Sequence, residues 1–222
     1  MAKRFLVSLA ARRFLTAFGL AAGLAALPVQ GFAQDEPNNS QPSNPKRKPP
    51  EAPAKLPKVP TDRTKGLEFL FGALKAAPDE DSAKAVEARI WAIWLQTPSD
   101  TAALLMMRAK AAIDAQKPEL ALKLLDSVIK LRPDYVEAWN RRATLYYLQN
   151  DYARSIADIQ QVLAREPRHF AALAGLGMIM QDIGDDKRAL DAFRKALAIN
   201  PHLEKVPELV KQLSEKVEGR DI

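Results

Sequence analysis

Three prolines, Pro133, Pro167 and Pro201, lie 34 residues apart in this chain of 222 residues. Each closes a short segment whose apolar residues follow helical spacing: LLDSVIKLRP, IQQVLAREP and FRKALAINP. Because the residue before a proline disfavours the helical region of backbone space, the prolines end these helices. A fixed period of this length predicts helical hairpins that stack into a solenoid, so the expected fold is all-α.

The period frames three consecutive hairpins, at residues 102–135, 136–169 and 170–203. Positions 8 and 20 of this frame carry small side chains, which let the two helices of a hairpin approach closely. The clearest examples are Ala143, Ser155, Gly177 and Ala189. Large residues at positions 4, 11 and 24 are expected to fill the space between the helices.

This pattern resembles the tetratricopeptide repeat (TPR) family, whose signature is W-x2-L-G-x2-Y followed by A-x3-F and P. The second repeat matches it with Trp139, Tyr146 and Pro167, whereas the first repeat is weaker. Arg108 and Arg142 stand where the family prefers leucine. The resemblance implies an α/α superhelix whose concave groove holds a protein or peptide.

Apolar stripes predict further helices on both sides of the repeats. Residues 61–101 read as a helical hairpin with Leu70 and Trp94 on its stripes; without the small-residue pattern it is expected to be a divergent N-terminal cap. Residues 204–222 predict a C-terminal capping helix, because an end repeat otherwise exposes its stacking surface. The predicted architecture is a TPR-type helical-hairpin solenoid preceded by a signal peptide and a disordered linker.

The first 60 residues differ from the rest in composition. Residues 1–33 predict a secretory signal peptide, with a basic start, an apolar run at 14–27 and a small-x-small site that favours cleavage after Ala33. Residues 34–60 hold eight of the 16 prolines and predict a disordered Pro-rich linker. The apolar run is short for a membrane span of about 20 residues. We therefore expect a periplasmic protein with no stable membrane span after cleavage, exported by the general secretory or the twin-arginine route.

Charge argues against a nucleic-acid partner. The net charge of +6 arises in the first 60 residues, and residues 61–222 carry 24 basic and 24 acidic side chains. A nucleic-acid-binding domain is expected to show a basic excess. Lys46, Arg47 and Lys48 form a basic cluster that could contact anionic envelope components weakly or simply be solvated spacer.

The residues needed for catalysis or metal binding are scarce. There is no cysteine, and the two histidines, His169 and His202, fall at repeat junctions outside any catalytic motif. We interpret His169 as a junction side chain packed near Phe170. The acidic clusters at 79–82 and 185–186 lack the spacing of a calcium loop and are expected to cap helices. No enzyme activity, metal or cofactor is therefore predicted.

The resemblance to TPR domains assigns a concave groove to one face of the first helix of each repeat. A mostly apolar, uncharged surface there would suit an extended peptide. The predicted groove residues are Met106, Lys110, Ile113, Glu137, Asn140, Thr144, Tyr147, Ala174, Met178 and Gln181.

Two functions remain open at this point. The chain is expected to be an exported scaffold or adaptor that binds a protein or extended peptide in its groove, in cell-envelope assembly or maintenance. The alternative is a structural accessory subunit of an envelope or secretion complex, which docks by its convex face or its ends. Its groove would then be filled internally, by the C-terminal helix or the linker. The partner, the oligomeric state and the envelope process are not determined by the sequence.

Overall fold

The computed structural model describes residues 62–219, where all regular structure is α-helical. The predicted signal peptide, its cleavage site after Ala33, the linker and the basic cluster at 46–48 lie outside the described residues. The nine helices of the described range are α1 (Arg63–Lys75), α2 (Glu80–Trp94), α3 (Asp100–Asp114), α4 (Pro118–Leu131), α5 (Val136–Leu148), α6 (Tyr152–Arg165), α7 (Phe170–Asp182), α8 (Asp186–Ile199) and α9 (Val206–Val217).

The helices α3 to α8 form three hairpins, α3–α4, α5–α6 and α7–α8, which stack in chain order. Each second helix ends two residues before its closing proline, at Leu131, Arg165 and Ile199. Helix α4 begins at Pro118, whose missing N–H would have no partner in the first turn. The predicted all-α solenoid is confirmed.

Turns inside the hairpins use residues that tolerate the left-handed backbone. Asn150 has φ 59° and Gly184 has φ 83°. The next residue then caps the following helix, because the Asp151 side chain accepts from Arg154 N (3.1 Å) and Asp185 from Arg188 N (3.0 Å). Asp79 caps α2 in the same way. These acids are helix caps, as the sequence predicts.

Close helix approach depends on the small residues of the repeat frame. A Cβ atom placed on Gly177 would lie 2.6 Å from the ring of Phe193, which is fully buried on α8. In the preceding repeat the Ser155 hydroxyl donates to the Ala143 carbonyl over 2.8 Å, so α5 and α6 meet at the corresponding place.

Arg142, where the family prefers leucine, joins two repeats. Its guanidinium donates twice to Asp158 on α6 (2.8 Å each) and once to Asp126 on α4 (2.6 Å). The first of these acids raises the pKa of Arg142 further above its ordinary value, against the opposing effect of burial. Trp139 lies beneath the same guanidinium, 5.0 Å from its ring centre. Asp126 belongs to the preceding repeat, so position 7 is satisfied by an acid from the neighbouring hairpin.

The N-terminal hairpin, α1 and α2, lies elsewhere than at the end of the stack. The sequence suggests a cap on the first repeat, yet the apolar residues of this hairpin share a core with Phe170, Ala171, Ile199 and Leu203. No side chain of α3 or α4 belongs to that core among the described residues. The physical reason is aromatic: Phe71, Trp91 and Trp94 pack around Phe170 and His169, where the loops between repeats leave room for large rings.

Helix α9 covers the other end of the solenoid. Val206 and Leu213 are buried against α8, and a Lys216–Asp186 ion pair joins the two helices. Arg194 of α8 donates to both carboxylate oxygens of Glu218 over 2.6 and 2.7 Å. The outward side chains of α9 are polar and exposed: Lys211, Gln212, Glu215 and Lys216.

Candidate functional site

The predicted groove residues fall on α3, α5 and α7, and they divide into two groups by burial. Met106, Glu137, Asn140 and Met178 are buried, with exposed fractions of 7%, 1%, 6% and 6%. The half-buried ones are Lys110, Ile113, Thr144, Tyr147, Ala174 and Gln181. Glu137 and Asn140 are therefore inaccessible to a partner while the structure holds this conformation.

A buried pair, Glu137 and His169, explains the first group. The imidazole Nδ1 of His169 accepts from Ala172 N at the start of α7 (3.1 Å). The proton must then sit on Nε2, which donates to Glu137 over 2.8 Å. Asn140 donates weakly to the other carboxylate oxygen, over 3.4 Å. His169 thus caps a helix and holds Glu137 in place, which is a structural role.

The hairpin closes this pair off from solvent. The Trp94 ring stacks on the His169 ring with 4.2 Å between centres and 12° between planes. Trp91 meets the same imidazole edge-on, at 5.6 Å. His169 and Trp94 are each 0% exposed. The hairpin therefore forms one wall of the site that the α5–α7 residues begin.

A second polar contact fastens the hairpin to the last repeat. The Glu87 carboxylate accepts from Trp91 Nε1 (3.1 Å) within α2 and from Asn200 Nδ2 (3.0 Å) after α8. Asn200 is fully buried, and its carbonyl oxygen accepts from His202 N over 3.0 Å. Both amide atoms of Asn200 are thus satisfied, so this contact is well formed.

A third contact lies at the first junction, where the Tyr135 hydroxyl donates to the Leu95 carbonyl over 2.8 Å. Burial, aided by the negative charge of Glu137, raises the pKa of Tyr135 to about 12. Tyr135, His169 and Leu203 are 34 residues apart and occupy position 34 of their repeats. The hairpin therefore contacts the same position in all three repeats.

The hairpin covers the N-terminal ends of α5 and α7, where Glu137 and Ala171 lie. The sequence interpretation considered the C-terminal helix or the linker as internal occupants of the groove, and it did not consider the hairpin. The available signal was the aromatic pair Trp91 and Trp94 on α2, which is unusually large for a capping helix. Residues at position 34 were also set aside as junction packing.

Comparison with known proteins decides the family. A family model described as tetratricopeptide repeat matches residues 106–160 and 144–204. A TPR repeat-containing protein of Rhizobium etli is 41% identical over 153 residues, which make up 69% of this chain and 75% of that protein. This chain belongs to the tetratricopeptide repeat family. The likeness of a relative does not by itself carry the relative's partner to this chain.

Solved TPR structures share the fold. The first TPR of Spaghetti (RPAP3), bound to an HSP90 peptide, superposes with a TM-score of 0.52 at 15% identity, over 55% of this chain and 97% of that one. MamA superposes with a TM-score of 0.50 at 18% identity, over 72% and 81%. TPR domains generally mediate binding of proteins or peptides, and scaffold families built from them are typically not enzymes.

The part of the TPR groove that stays open is built from the C-terminal halves of α3, α5 and α7. Thr144 and Tyr147 line its centre, and the Tyr147 ring lies 6.0 Å from the Tyr152 ring. Burial and the nearby Asp182 raise the pKa of Tyr147 well above its ordinary value, so the phenol stays neutral. A cleft of only about 10 Å³ separates α5 from α7 here. The floor is close-packed, so a ligand would lie on it and would not enter a deep pocket.

The charged residue of this open part is Lys110, whose ammonium pairs with Asp114 one turn later over 2.6 Å. The Lys110 side chain is 45% exposed, and such a pair within one helix contributes little to stability. Lys110 is therefore available to a ligand at small cost.

Residues 62–219 contain no cluster of three or more side chains suited to hold a metal ion. Within the same range, none of the helices has the length and apolar character required to cross a bilayer.

Proposed function

We propose that this chain is an exported TPR scaffold that binds a protein or an extended peptide in the open part of its groove. One observation carries the proposal. The hairpin covers only the N-terminal ends of α5 and α7, and a band of half-buried side chains remains on three successive helices: Lys110, Ile113, Thr144, Tyr147 and Gln181. Such a band, mixed apolar and polar on a packed floor, suits an extended segment.

Export and a role in cell-envelope assembly or maintenance belong to the same proposal. Their support is the sequence of residues 1–33, with its basic start, apolar run and small residues before Gln34. The lack of cysteine in the chain is compatible with an oxidising compartment.

A second candidate function has an observation of its own. Because the hairpin covers Glu137 and Ala171, part of the groove is filled internally, as an accessory subunit that docks by its convex face or ends would allow. The two candidates differ in which surface meets the partner.

Photocrosslinking in intact cells separates them. A photoreactive amino acid is placed at Lys110 in the groove, and in a matched variant at Lys195 on α8, whose side chain is 61% exposed. We expect one dominant exported or membrane protein among the Lys110 adducts and none at Lys195. The mass of the purified mature chain should begin at Gln34.

Adducts restricted to Lys195 would favour the accessory-subunit function and overturn the groove proposal. A mature mass that still includes residues 1–33 would overturn cleavage after Ala33. The two readouts are independent, since groove binding does not require that particular cleavage.

A further inference from the structure

The first repeat presents an apolar surface away from the rest of the stack. Four large apolar side chains are exposed there, Leu104 (48%), Met107 (70%), Leu120 (47%) and Leu131 (46%). We call this surface on α3 and α4 the end face. A patch of several hundred Å² of this kind is characteristic of interaction sites.

The orientation of the end face follows from contacts on the other side of α4. Glu119 meets Gln149 (3.3 Å) and Asp126 meets Arg142 (2.6 Å), so the side bearing these acids faces α5. Leu120 and Leu131 lie roughly 120° further around α4, at 100° per residue. On α3, Leu104 and Met107 lie opposite the buried stripe that packs on the second repeat.

In this position a solenoid normally has a preceding hairpin or a polar cap. Helix α9 fulfils that requirement at the other end. Here the preceding hairpin is occupied at the repeat junctions, and no other apolar side chain of residues 62–219 joins the core of the first repeat from outside.

The charges around the end face define what would fit it. Arg108, Lys123 and Lys130 border it, and none has an ion-pair partner within the part of the chain that the structure describes; Asp100 is the acid on the same side. Arg108 occupies the repeat position of Arg142. Arg142 is satisfied by Asp126 from the preceding hairpin (2.6 Å). Arg108 has no preceding hairpin, so the acid that would complete it must come from elsewhere.

We propose that the end face docks an amphipathic helix of another protein, with an apolar stripe flanked by acidic residues. This helix would lie where a preceding repeat would lie and would bring an acid to Arg108, as Asp126 does for Arg142. A second copy fits poorly, because two end faces would bring Arg108, Lys123 and Lys130 against the same basic residues. Residues 34–60 also fit poorly, since they carry five basic and three acidic side chains. The end face is separate from the groove, so the proposal does not rest on peptide binding there.

The test uses the mature chain and two designed fluorescent peptides of about five helical turns. Both carry the same leucine stripe, flanked in one by glutamates and in the other by lysines. We expect fluorescence anisotropy to show the acidic peptide binding at least tenfold more tightly than the basic one, with the difference shrinking as salt is raised. The double variant Leu104→Glu/Leu131→Glu should abolish binding. Ile183→Glu, at another exposed apolar side chain (51%), should leave binding unchanged.

A charge exchange provides the sharper arm. The variant Arg108→Glu/Lys123→Glu alters exposed side chains only, and it should reverse the preference between the two peptides. Equal affinity for both peptides, or an unchanged preference in this variant, would overturn the proposal. So would self-association in sedimentation velocity that Leu104→Glu/Leu131→Glu removes, because the occupant would then be a second copy. Pelleting of the chain with vesicles containing one quarter phosphatidylserine, lost in the same variant, would identify a membrane surface instead.

Discussion

Gly177 shows how tightly a single position is determined in this fold. The aromatic carbons of Phe193 would lie 2.6 Å from any Cβ at this site, and Phe193 is fully buried, so the ring cannot move aside without displacing its neighbours. The sequence pattern predicts this contact, since a small residue at position 8 faces a large one at position 24. Packing of this kind repeats every 34 residues and is therefore visible without a structure.

Substitution of Gly177 measures the contact. We expect Gly177→Ala to lower the free energy of unfolding by about 1–3 kcal/mol through overpacking, and Gly177→Leu by more. Gly72→Ala is the matched control, because Gly72 is helical on α1 and a Cβ there would meet nothing within 4 Å. That substitution should raise stability by about 0.5–1 kcal/mol. Equal urea midpoints for the two alanine variants would show that α7 and α8 do not approach as described.

Tyr135 gives a prediction for alkaline pH. Burial raises its pKa to about 12, above the ordinary value of about 10. In the folded protein the phenol keeps its proton and donates to Leu95, while the unfolded chain loses that proton first. The contribution of Tyr135 is therefore fully present below pH 10 and is lost as pH rises through 12. Tyr135→Phe should reduce the loss of unfolding free energy over this range by up to about 1.4 kcal/mol per pH unit. An unchanged slope in urea titrations would contradict the burial of this hydroxyl.

Among the elements, the N-terminal hairpin is the one whose place could not be predicted. Its apolar stripes indicate two amphipathic helices, and these form. Its partners are remote in sequence, as with Glu87 and Asn200 or Trp94 and His169, and such pairs do not follow the 34-residue period. The same limit applies to the groove, because the burial of Glu137 and Asn140 depends on where the hairpin docks.

The docking of this hairpin is imperfect in one respect. Trp94 Nε1 is buried without a hydrogen-bond partner, although Trp91 donates to Glu87 one turn earlier. An unsatisfied buried donor costs about 1–3 kcal/mol. The hairpin is thus less firmly held than its buried aromatic rings alone would suggest, and it is the element most readily released from the repeats.

Truncation of Trp94 should release it. We expect Trp94→Ala to destabilise the docked hairpin by about 3–5 kcal/mol, because it removes a fully buried indole. Hydrogen exchange should then lose protection in α1 and α2, while α5 to α8 stay protected. Phe69→Ala on the same hairpin is the control, since Phe69 is 37% exposed and should have little effect. Uniform loss of protection across all helices would mean that the hairpin is an inseparable part of the repeat core.

At the scale of the whole molecule, the sequence predicts the stack and leaves its boundaries uncertain. The period determines three hairpins and their order, because each hairpin buries its apolar face on the next. The two ends obey no period. The polar outer side of α9 follows from its own amphipathic pattern, whereas the end face appears only because α1 and α2 are engaged along the junctions.

A stack of repeats normally behaves like a row of dominoes, in which each unit senses only its neighbours and the row can fray from either end. Helix α2 changes that arithmetic. Its contacts run from Leu95 at the first junction to Lys84, which pairs with Glu204 after the third, along about 17 Å of helix. One rigid rod therefore ties the first repeat to the last, so the row should melt as a single unit. The length of the rod also acts as a gauge: a fourth repeat would lie beyond its reach, and three is the number that this helix can bind together.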